Sequence, residues 1–201
     1  MGLQGLVGCA GCVQMVIVTV IFVLGALAFG VLLFAVWAFN RLVRGRNQMR
    51  EGWSGIEVQL KRRHDLVPGL VECVKGMRDH ERELLEEVVR ERSAARAAEG
   101  PAAAGGAESE LGAGIGKIVA LAEAYPELKA DRQFRKLMTE LVGIEDQIQY
   151  SRRYYNGSVR DMNNVVESFP TNLVAGMGGF VRGEFFEVEN VGERQVVEVG
   201  L

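Results

Sequence analysis

No lysine or arginine precedes Arg41, and from Val13 to Phe39 the chain runs 27 residues without a charged side chain. Histidine occurs twice and cysteine three times in 201 residues. Each shortage excludes something. A cleaved secretory signal, the alternative to a retained anchor, has a basic n-region and only about 7–15 apolar residues, and this run reads as the anchor. Leu6-Val7-Gly8-Cys9 looks like a lipobox, but no apolar stretch precedes it, and Leu6 stands where N-myristoylation wants Ser or Thr. His64 and His80 lack H-E-x-x-H spacing, and Cys9-x-x-Cys12 has no second pair, so no metal or cofactor site is expected. Cys9 and Cys12, beside Gly8, Ala10 and Gly11, read as small residues that let helices approach closely at the membrane. Acylation and an intermolecular disulfide are the alternatives. Cys73 reads as a small core hydrophobe.

What the chain does have is a long apolar run and an abrupt basic flank. About 20 apolar residues span a hydrocarbon core about 30 Å thick, so residues 13–39 suffice for a retained transmembrane helix after a short segment 1–12. Trp37 and Phe39 suit the aromatic belt, and Arg41, Arg44, Arg46 and Arg50 suit the headgroups beyond it. The positive-inside rule then puts the N-terminus outside and residues 41–201 in the cytoplasm. Residues 41–63 hold seven basic and two acidic side chains, so the rest of a chain of net charge −3 carries −8. A basic collar beside an acidic body points to an anionic lipid membrane as partner rather than nucleic acid.

Beyond the anchor the pattern is helical. Leu42, Met49, Trp53, Ile56, Leu60, His64 and Val67 form one stripe. Pro68 is expected either to break this helix or to open a second one bearing Leu70, Val71, Val74, Met77, Leu84, Leu85 and Val88. Residues 97–108 read as a turn or long loop punctuated by Gly100-Pro101, with a third helix from Ser109 to Tyr125. Asp131 is placed as the N-cap of the longest helix, whose seam runs through Phe134, Leu137, Leu141, Ile144, Ile148, Tyr155, Met162 and Val165 to Phe169-Pro170. The last thirty residues are glycine-rich, and Phe185, Phe186 and Val188 with Val196, Val197 and Val199 read as short strands. A lone hairpin is marginal in water, so these six residues are candidates for contact with the helices, the membrane or neighbouring subunits.

Catalytic arrangements are missing. Gly112-Ala-Gly-Ile-Gly-Lys117 fails as a P-loop, because Ile118 follows the lysine and Leu111 stands at the first glycine position. Glu57 and Asp65 make no acid–base pair, and no nucleophile–base set is evident. Lys61, Arg62, Arg63 and His64 form a polar cluster read either as a solvated face or as a contact with a protein partner; His64 also lies on the apolar stripe as a core-edge histidine.

Asn40-Arg-Leu-Val, Trp53-Ser, Ile56-Glu-Val-Gln-Leu-Lys-Arg-Arg-His-Asp-Leu-Val-Pro68, His80-Glu, Ala124-Tyr-Pro-Glu-Leu-Lys-Ala, Arg153-Tyr-Tyr-Asn, Ser168-Phe-Pro-Thr-Asn-Leu-Val-Ala-Gly-Met and Phe185-Phe-Glu-Val occur in order. Together they resemble the LemA family. Gly69 stands where that family usually has Asn, and Met77 where it has Tyr. The resemblance implies a bacterial, single-span protein with a four-helix bundle, no established enzymatic activity, and relatives that help build magnetosome membranes. The combined expectation is an all-α protein: an N-terminal transmembrane helix, an antiparallel four-helix bundle over 40–170, and a Gly-rich tail over 171–201 with β-prone segments. Its expected role is a non-enzymatic scaffold in the bacterial inner membrane that forms homo-oligomers and takes no small-molecule substrate; the alternative is an adaptor for another membrane protein such as a protease or kinase.

Overall fold

The computed structural model describes residues 3–75 and 82–187, leaving the side chains of 3–14 and 16 outside that description. All its regular elements are helices: α1 (Leu3–Lys75), α2 (Arg82–Ala97), α3 (Pro101–Ala124), α4 (Pro126–Ala130), α5 (Arg132–Glu167) and α6 (Thr171–Met177). The chain divides into two compact units, residues 1–44 with 164–181, and residues 45–163 with 182–201. The predicted Cys9 and Cys12 contacts, and the strand over Val196, Val197 and Val199 together with Val188, lie outside the described residues.

In the first unit the apolar part of α1 is long enough to cross a membrane, and none of the described residues buries its most apolar stretch. Ile21, Phe22, Leu24, Leu27 and Phe29 are each at least 60% exposed. Coverage begins at Ala38 and Leu42, which are fully buried, and Phe180 meets Phe39 edge-on at 5.6 Å. Arg41 stacks over the Trp37 ring at 5.4 Å, joining belt and collar as a cation–π pair. The glycine-rich tail therefore starts with a helix. The Thr171 hydroxyl donates between the carbonyls of Val165 and Ser168, fixing the turn from α5 into α6. Gly179, at φ +65°, lets the chain reverse so that Phe180 N–H bonds Ala175 O at 3.0 Å.

In the second unit α1 and α5 run antiparallel: Gly45 lies against Met162, Gly52 against Tyr154 and Tyr155, Gly55 near Ser151, and Gly69 against Leu137. Helices α2 and α3 pack on each other. One core joins Val67, Leu70 and Val71 of α1 to Leu85 and Val88 of α2, Leu111 and Ile118 of α3, Leu128 of α4 and Phe134 of α5. Two expectations are corrected here. The loop over 97–108 shrinks to Ala98–Gly100, because Gly100 takes φ +83° and Pro101 starts α3 at the position where a missing N–H costs nothing. Asp131 caps α5 as expected, its Oδ1 accepting from Phe134 N–H at 2.8 Å.

The second correction is Pro68, which neither breaks α1 nor starts a new helix. A mid-helix proline has no N–H for the carbonyl four residues back, here His64. Arg92 of α2 replaces it: its Nε–H donates to His64 O at 2.7 Å. That cross-helix bond satisfies the orphaned carbonyl and allows α1 to carry Leu70, Val71 and Val74 onward into the core. Arg92→Ala is expected to lower unfolding free energy by about 1.5–3 kcal/mol. In a Pro68→Ala background the loss should shrink by about half or more, because the backbone again supplies the donor. Urea unfolding of the four proteins in that cycle checks this; an undiminished Arg92→Ala effect rejects the pairing.

Candidate functional site

Three features of the second unit could carry function. The first is a polar hub beneath the Pro68 bond. His64 is 7% exposed and Glu108, on α3, only 1%. The His64 Nε2 and Glu108 Oε1 are hydrogen-bonded at 2.5 Å, and Arg63 Nη1 donates to Glu108 Oε2 at 3.3 Å. Arg63 also reaches Glu145 of α5 at 3.6 Å. Gly112, one turn along α3 from Glu108, leaves room for the guanidinium; a Cβ there would lie 2.9 Å from Arg63 Nη2. The hub thus ties α1 to α2, α3 and α5. A buried carboxylate is costly unless paired, and here both oxygens are paired.

The second is the extended segment 182–187, which lies on α5 without forming a strand. Asn163 holds Gly183 by two bonds, accepting from its N–H at 2.8 Å and donating to its carbonyl at 3.1 Å. Asn156, seven residues earlier, holds Phe186 the same way at 3.0 and 3.1 Å. Between them the Tyr155 hydroxyl donates to Glu184 O at 2.8 Å. The two amides imitate the paired bonds that a neighbouring strand would offer. Phe186 is fully buried against Trp53, with Ala104, Ile148 and Val159 in the same cluster. Gly105 of α3 is required, because a Cβ there would collide with the Glu187 carbonyl. Burial pushes the Tyr155 hydroxyl up to about 12, with Glu184 adding to the shift.

The third is an open groove of about 410 Å³ between α1 and α5, lined by Gln59, Arg62, Asp65, Leu66, Glu140, Gly143, Ile144 and Gln147. Gln59 Oε1 is buried there and has no hydrogen-bond partner among the described residues. Val58, Tyr150 and Tyr154, on the same two helices, are 47–65% exposed.

Of the sequence-predicted residues, Lys61 and Arg62 are exposed, whereas Arg63 and His64 turn inward and serve the hub. Trp37, Phe39, Arg41, Arg44 and Arg50 are exposed, but Arg46 is half-buried. Phe185 is 39% exposed and Phe186 is core. Glu108, Asn156 and Asn163 were not expected. Asn163 could have been suspected, as a polar residue adjoining Met162 of the seam; Glu108 could not, because residues 97–108 read as a loop. The glycines of the failed P-loop sit in the middle of α3, where Gly112 and Gly114 admit the Arg63 and Glu91 side chains. Burial, with Glu87 nearby, raises the pKa of Glu91.

Gly105→Ala is expected to destabilise the protein by more than 2 kcal/mol, while Gly116→Ala, with open space around it, should be neutral or stabilising by up to about 1 kcal/mol. Thermal unfolding distinguishes them. Tyr155 has its folded pKa raised above the ordinary 10, so its contribution is complete below pH 10 and is lost as pH climbs to about 12. The fall should reach about 2–3 kcal/mol, and Tyr155→Phe should flatten that alkaline slope in urea titrations at several pH values.

The chain is similar in sequence to known proteins. The LemA family model matches residues 52–200. Magnetosome protein MamQ 2 of Paramagnetospirillum magneticum is 30% identical over 92 residues, which is 46% of this chain and 34% of that protein. MamQ of Magnetospirillum gryphiswaldense is 29% identical over the same extent. Protein LemA of Metamycoplasma hominis is 27% identical over 137 residues, 68% of this chain and 63% of that one. The match thus spans about a third of the length of the magnetosome relatives. With the family model covering the whole helical body beyond residue 52, the chain belongs to the LemA family.

Proposed function

We propose that this protein is a non-enzymatic, membrane-anchored scaffold: an antiparallel four-helix bundle of α1, α2, α3 and α5 that self-associates and organises the bacterial membrane holding it. The observation that carries this reading is the open α1/α5 groove, in which the buried Gln59 acceptor has no donor among the described residues, with Tyr150 and Tyr154 exposed on the same helix α5. A second helix laid in that groove would supply the donor and cover Tyr150 and Tyr154. The enclosed His64–Glu108 pair supports a non-catalytic role, because both partners face protein rather than a cleft. The likeness to magnetosome proteins supports the membrane-organising part. In this reading the N-terminus lies outside and the helical body in the cytoplasm of an inner membrane whose anionic lipids face Arg41, Arg44 and Arg50.

Gly143→Arg places a long side chain in the groove without touching the core. Its particle in mild detergent should be smaller than that of the parent, by light scattering. A parent that is monomeric at micromolar concentration sinks the scaffold reading. If Gly143→Arg instead abolishes crosslinks to a different membrane protein and leaves size unchanged, the groove serves an adaptor. Deleting residues 181–201 is a poor substitute, because it also removes the buried Phe186.

A further inference from the structure

We propose that α6 and its flanks form a second membrane contact, an apolar foot inserted in the bilayer interface beside the point where α1 leaves it. The inference rests on reading residues 13–39 as a bilayer span. Between Glu167 and Arg182 the chain has no charged residue, a 14-residue stretch that includes all of α6. Its inward face is small and modest: Thr171 and Ala175 are buried, with Phe180 turned in after them. Its outward face is the greasier one. Phe169, Leu173, Met177 and Val181, spaced four apart, are 80%, 60%, 90% and 76% exposed. A helix on a water-facing surface has the reverse pattern, with polar residues outward.

Lipid is the occupant that fits, for two reasons. This stripe belongs to the same compact unit as the apolar run of α1, and Phe180 rests on Phe39, the last apolar residue before Asn40 and Arg41. The foot is therefore held at the depth where hydrocarbon gives way to headgroups, continuous with the span itself. Interfacial helices there bury an apolar face about 5–10 Å into the headgroup–acyl boundary. The uncharged outward side also meets no penalty for entering that layer.

Site-directed spin labelling of the full-length chain tests this. Cys9, Cys12 and Cys73 are replaced by alanine, and single cysteines are introduced as Leu173→Cys, Met177→Cys, Val23→Cys and Arg96→Cys. Each labelled protein is reconstituted in phosphatidylcholine–phosphatidylglycerol vesicles, and its relaxation by membrane-dissolved oxygen is compared with that by a water-soluble nickel chelate. Labels at 173 and 177 should favour oxygen several-fold, as the label at 23 does, whereas the label at 96 favours nickel. If 173 and 177 behave like 96 while 23 stays in lipid, the foot is wrong and the anchor stands. If 23 also favours nickel, both readings fall. Low access to both reagents, with spin–spin broadening that disappears on dilution with unlabelled protein, would mean that a second copy covers the stripe and overturns the lipid assignment.

Discussion

The helical body depends on a hydrogen bond that the backbone of α1 cannot make. Pro68 leaves the His64 carbonyl without its helical donor, inside the last turns of a 73-residue helix and next to the core. An unsatisfied buried carbonyl costs about 1–3 kcal/mol, enough to favour a kink or a helix end. Arg92 removes that incentive by reaching across from α2. Because the same His64 bonds Glu108 through its ring, one residue couples α1 to α2 by its backbone and to α3 by its side chain. Arg63 extends the coupling to Glu145 on α5. Packing of apolar stripes would tolerate small rotations of these helices; four directional polar contacts around one point do not.

The apolar stripes were legible because burial imposes periodicity. The inward residues read from α1 are buried or half-buried, as are those read from α5. What could not be read depended on partners distant in sequence. The donor that rescues Pro68 lies 28 residues from the carbonyl it serves, so local rules correctly expected a break and were overridden. The start of α3 was hidden by composition. Ala-Ala-Ala-Gly-Gly after Gly100-Pro101 looks like a linker, yet Gly105 is there to admit the Glu187 backbone, and it is a contact, not flexibility, that selects it. Glu108 shared that concealment.

Segment 182–187 was misread for a related reason. Alternating Phe, Glu and Val suggest a strand, and the backbone is in fact extended and bonded in pairs. Its partner is a row of amides on α5. Asn156 and Asn163, two helical turns apart, meet backbone groups three residues apart, which works because seven helical residues rise about 10.5 Å and three extended ones span about 10 Å. The match of those two rises lets a helix stand in for a strand. Phe186 then fills the space beside Trp53 and Tyr155, so that this part of the tail belongs to the core.

The distribution of polarity carries the functional argument to its last step. Charged and hydrogen-bonding groups that usually face water, Arg63, His64, Glu108 and Asn163, are turned inward and paired with one another or with backbone. Large apolar groups that usually face inward, Phe169, Leu173 and Met177 on one unit and Tyr150 and Tyr154 on the other, are turned out. Buried pairs of this kind add little stability over apolar packing, but they penalise every alternative arrangement. Outward apolar groups, by contrast, lower stability in water and gain only when something non-aqueous covers them. On the function proposed above, a chain that turns its polar groups to internal specificity and leaves greasy ones exposed would act through surfaces, on lipid and on protein.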